Sequence, residues 1–134
     1  APEPATPWLT CSGGGGGACG SAAVVRLLWE LAELADALGC GRMHVALDHR
    51  THAAQSLLHT GLAQCQGPSL CVVLPGAQLS PEELGGLLVP PPPASGQLPE
   101  VRGRALPGLA DGLLGCFAVT NVLQVVSGPT TLMW

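Results

Sequence analysis

The chain has 134 residues, of which 47% are hydrophobic and 10% charged, with a formal net charge of −4. That is enough chain for one domain with a sizeable core. Five arginines and no lysine exclude a P-loop and Schiff-base chemistry, both of which need an amine, and leave no cation cluster for a nucleic-acid partner.

Residues 1–20 are rich in Pro, Gly, Ala, Ser and Thr and read as a flexible N-terminal segment. Only the stretch around Trp8–Cys11 could form a strand there, and a short one. Gly15-x-Gly17-x-x-Gly20 fits the dinucleotide-binding spacing, and Asp48 ends a predicted strand where such a site needs an acid. Prolines interrupt the stretch before the glycines, however, and five consecutive glycines favour a loose loop. The preferred reading is a linker. The alternative is a small-ligand or nucleotide site on the Gly13–Gly20 loop, using Gly15, Gly17, Gly20 and Asp48.

The spacing predicts a helix over 22–38. Val24, Leu27, Leu28, Leu31, Leu34, Ala35 and Leu38 recur at helical spacing as one apolar stripe. Arg26, Glu30, Glu33 and Asp36 fall on the other side, and Gly39 supplies a helix stop. Trp29 lies on the polar side beside Glu30 and Glu33. It packs under a loop or anchors a partner.

A strand over 42–48, a helix over 51–65 and a strand over 69–74 predict a βαβ unit with parallel strands. His49, His52 and His59 then fall within a narrow sector of that helix, if it reaches back to His49. Three such side chains could hold zinc or copper, but a solvated polar face is the preferred reading, so no metal and no cofactor is expected. Ser56, Ser69 and Ser80 lack the nucleophile-elbow context, and no catalytic residue is nominated.

Ser80-Pro81-Glu82-Glu83 is a capping box with proline at the first helical position, opening a short helix that ends near Leu88. Pro90–Glu100 reads as a stiff, exposed proline-rich loop. Residues 113–126 read as one bent strand or a hairpin. The expected fold is α/β: a three- or four-stranded, partly parallel sheet with two longer helices and one short one, over a single domain spanning 21–134. No apolar run approaches the roughly 20 residues that span a bilayer, and no stretch reads as a signal peptide. The six cysteines form no CxxC and read as reduced thiols of a cytoplasmic or nuclear protein. The alternative is a secreted, disulfide-stapled domain with Cys11 and Cys19 paired.

Several pieces resemble the ornithine decarboxylase antizymes. They are Glu30-Leu31-Ala32-Glu33, the strand Met43–Asp48, Leu57-Leu58-His59-Thr60, the turn Leu74-Pro75-Gly76 and the run Gly115–Val122. The resemblance implies an acetyltransferase-like α/β sheet without the acetyl-CoA site, and protein binding with Glu30 and Glu33 on the contacting face. The chain departs from that family in its single Arg50 where a basic helix start is expected, in its missing aromatics and in its proline-rich insertion. The functional expectation is a non-enzymatic protein-interaction or regulatory module. Its partner is another protein, bound through Trp29, Glu30 and Glu33, rather than nucleic acid or a membrane.

Overall fold

A computed structural model describes residues 8–12 and 21–133. The first helix, α1, runs over Ser21–Ala37. Its stripe is buried as expected, with Leu27, Leu31, Leu34, Ala35 and Leu38 all in the core. Gly39 stops it at φ +73°. There the Gly39 N–H donates to the Asp36 carbonyl at 3.0 Å and the Cys40 N–H to the Ala35 carbonyl at 2.8 Å. This pair of bonds is the Schellman motif, and it satisfies two carbonyls that the helix end leaves open. The second helix, α2, spans Pro81–Leu88. The Glu83 N–H donates to Ser80 Oγ at 3.1 Å and the Ser80 N–H to Glu83 Oε2 at 2.9 Å, which completes the expected capping box.

The strands are β1 (Trp8–Ser12), β2 (His44–Asp48), β3 (Ser69–Val73), β4 (Glu100–Val101), β5 (Arg104–Ala105), β6 (Val122–Ser127) and β7 (Thr130–Met133). Five of them form one sheet in the order β2-β3-β1-β6-β7, and β4 pairs with β5 alone. Every pairing is antiparallel. The fold is therefore mixed α/β, but its sheet is not partly parallel. The expected crossover between the strands over 42–48 and 69–74 is not formed, since β2 and β3 pair antiparallel, and crossovers occur elsewhere. β1 and β2 run the same way with β3 between them, and α1 joins them. β3 and β6 run the same way with β1 between them, and α2 lies on that connection. Two interlocked split βαβ units result, the ferredoxin-like arrangement, with β7 added by a terminal hairpin.

Three further expectations need correcting. The boundary at residue 20 falls after the sheet's central strand, because β1 pairs with both β3 and β6. Residues 51–65 do not form a helix. Residues 51–59 are irregular, and Thr60–Cys65 is a 3₁₀ turn whose start is capped by His59. Thr51, His52, Ser56, His59 and Thr60 are weak helix formers, and Gly61 costs about 1 kcal/mol more than alanine in a helix interior. Ser56 breaks any helix outright with φ +59°. Finally, the β-rich reading of 113–126 holds only from Val122. Gly112–Ala118 is a 3₁₀ turn, entered through Gly112 at φ +59°.

The helices and the 3₁₀ turns of residues 107–118 cover one face of the sheet. Val72, Leu123 and Val125 meet Leu31, Leu84, Leu87, Leu109 and Leu113 in one core. The β4–β5 hairpin turns through Arg102 and Gly103, both at positive φ, the two-residue geometry that suits strand twist. From this turn Arg102 donates to the Leu38 carbonyl at 3.2 Å and to the Gln78 carbonyl at 3.2 Å. The hairpin is thereby tied to the C-terminus of α1, where a cation is favoured. Arg102→Ala is expected to lower stability by about 1 kcal/mol, since both residue types carry the same backbone strain and the losses are these bonds and a half-exposed ion pair to Glu83 at 3.9 Å. A urea denaturation midpoint checks this. An unchanged midpoint would mean that these bonds contribute nothing.

Candidate interaction surface on helix α1

A helix packed by one stripe leaves its opposite face free, and α1 is such a helix. Trp29 is 72% exposed and Val25 65% exposed on that outer face. They stand four residues apart, so they are neighbours on the helix surface. Ala32, also exposed, extends the row by one turn. Of the two readings of Trp29, packing under a loop is overturned: the indole faces solvent. Val25 was not singled out from the sequence. The available signal was its position one turn before Trp29, masked by the apolar Val24 beside it.

Glu30 and Glu33 do not share this face. Glu30 is buried, with Arg26 Nε donating to its Oε1 at 2.8 Å. The bond to Glu30 holds the Arg26 guanidinium above its usual range, although Arg26 is itself exposed. Both acids lie against the glycines of the 3₁₀ segment. A Cβ on Gly108 would stand 2.5 Å from Glu33 Oε2 and 3.3 Å from Glu30 Cγ. Glu33 Oε2 is buried without a hydrogen-bond partner among the described residues. Arg26, Glu30, Gly108, Asp111, Gly112 and Gly115 line a groove of about 330 Å³ here. The contact face that the antizyme resemblance implies, with both acids outward, is not formed. The physical reason is the small size of Gly108 and Gly115, which lets a distant segment seat directly on the acidic side of α1.

The histidines are also dispersed. His49 and His52 lie on the exposed excursion between β2 and β3, and His59 uses Nδ1 to accept the Gly61 N–H at 3.0 Å. With no helix over 51–65, the shared face on which a metal site depended is lost. No group of three or more metal-ligating side chains occurs among the described residues. Asp48 accepts from Arg50 Nε at 2.8 Å and from Arg50 Nη2 at 2.7 Å, with His52 Nε2 at 3.5 Å. These bonds hold its carboxyl well below the usual carboxylate range. Gly15, Gly17 and Gly20 lie outside the described residues.

The excursion over 49–68 folds beside the sheet face opposite the helices. His52, Ser56, Leu57, Leu62, Gln124 and Met133 help to line a cleft of about 370 Å³ there. Cys40 and Cys65 are free thiols. Burial raises the Cys40 thiol above its usual range. No described helix is long and apolar enough to cross a membrane. Compared with protein-family models, curated proteins and solved structures, the chain matches none.

Proposed function

We propose that this chain is a non-enzymatic protein-interaction module that presents the outer face of α1 to a groove on another protein. The observation that carries this reading is the exposure of Trp29 on a helix, with Val25 one turn away. Tryptophan is costly to leave in water and is enriched among residues that dominate binding energy. Positions 25, 29 and 32 give the i, i+4, i+7 spacing by which a helix docks in an apolar groove. Glu30 and Glu33 act behind this face, fixing how α1 sits on residues 108–115, and contribute no direct contact.

The expected result for Trp29→Ala is a loss of partner binding of tenfold or more, about 1.4 kcal/mol or above. Stability should change by no more than about 0.5 kcal/mol, since an exposed side chain is removed. Parallel affinity capture with the wild-type chain and the variant, followed by thermal melting of both, reads the two quantities separately. A partner that both forms retain equally would sink the proposal. So would binding lost only in step with unfolding.

A further inference from the structure

The open edge of the sheet at β2 carries a second inference, independent of the α1 face. Among the described residues, β2 pairs on one side only, with β3. Its other side presents unpaired backbone donors and acceptors, the template for adding a strand. Natural edges are blunted by lysine, proline or a bulge. β2, His-Val-Ala-Leu-Asp, contains neither lysine nor proline, and its register with β3 runs unbroken through all five residues.

The side chains suit this edge to pairing. Val45 stands opposite the buried Val72, and Leu47 opposite Leu70, so both point to the helix side of the sheet. They nevertheless remain 45% and 58% exposed, because the helical layer does not reach over this outermost strand. His44 and Asp48 stand on the opposite face, at the two ends of the strand.

We infer that β2 pairs antiparallel with β2 of a second copy of this chain, about a two-fold axis at Ala46. An isologous contact must be self-complementary, and this strand is. The axis sets Val45 against Leu47 of the second copy, twice, closing the uncovered apolar pair on the helix side. It also sets His44 against Asp48 of the second copy, twice, on the other face. Asp48 is already held by Arg50, but a carboxylate has about four acceptor sites, and an imidazole N–H can take one in either charge state. A strand of five residues centred on one residue keeps both helical layers on the same side, so the two sheets become one continuous sheet. The β7 edge offers no such match: its four residues, Thr-Thr-Leu-Met, set threonine against methionine or leucine when paired with themselves.

Sedimentation velocity on the full chain tests this, over about 5 to 500 µM, a range suited to a small, weak interface. The expected result is a monomer–dimer equilibrium. Leu47→Lys places a charge at the edge and should leave a monomer with an unchanged melting temperature. His44→Asp, exposed and harmless to folding, should weaken the dimer at least tenfold by setting like charges opposite each other. His44→Gln, which keeps an N–H donor, should retain it. A monomer throughout the range would overturn the inference. So would a dimer indifferent to both Leu47→Lys and His44→Asp, whether it forms through β7 or through the α1 face, the latter revealed by its loss in Trp29→Ala.

Discussion

Gly112→Ala is expected to destabilise the protein by about 2 to 5 kcal/mol, a large part of the 5 to 15 kcal/mol that holds a typical domain folded. Two effects add. Gly112 adopts φ +59°, a conformation that costs an L-residue about 1 to 2 kcal/mol. An added Cβ would also stand 1.9 Å from the Leu87 carbonyl oxygen and 2.9 Å from its carbon. These are backbone atoms at the end of α2, so no rotamer change relieves the overlap. The helix and the 3₁₀ segment must separate, at about 1 to 3 kcal/mol for a forced core shift. Gly103→Ala is the control. Gly103 also has positive φ, but nothing stands within 4 Å of its Cβ position, so only the strain of about 1 to 2 kcal/mol applies. Urea denaturation of both variants separates the contributions. Equal losses would show that the close approach of Gly112 to Leu87 is not made in solution.

The second large effect is expected at Leu123. This residue is fully buried on β6, on the face that meets the helical layer. β6 pairs with β1 on one side and β7 on the other. A cavity at Leu123 therefore opens beneath the helices at a point braced by two strand pairings, where the backbone cannot easily collapse inward. Leu123→Ala should cost about 2 to 5 kcal/mol. Leu58→Ala removes the same atoms from a residue that is 89% exposed, and should change stability by no more than about 0.5 kcal/mol. Thermal or urea melting of the pair gives the contrast. A loss below about 1 kcal/mol at Leu123 would mean that the site collapses readily and that β6 is not held as described.

The candidate site was half legible in the sequence. Trp29 falls on the polar side of α1 by angular position alone, and the structure leaves it in water. By the same count Glu33 falls about 40° from Trp29 and Glu30 about 100° from it, beside the stripe, and both are turned against a segment far along the chain. Helical periodicity says which face the stripe packs. It says nothing of what else settles on the remaining surface, and here glycines at 108 and 115 allow a third element to do so.

The sequence by itself determined α1, α2 and β3, because the signals for them are local. An apolar stripe with a Gly39 stop, a reciprocal Ser80–Glu83 cap and a continuous apolar run each act within a few residues. The tertiary structure alone decided how the strands pair. His44–Asp48 and Ser69–Val73 carry no mark of direction in their own residues, and a long connection between them is compatible with either sense. β1 comes from outside that stretch and pairs on the far side of β3, while the chain over 49–68 returns to make an antiparallel neighbour of β2. That choice also leaves β2 at the edge, with Val45 and Leu47 turned to a side that no helix covers. Strand order follows from which apolar surfaces can be buried together, a property of the whole chain rather than of any window within it.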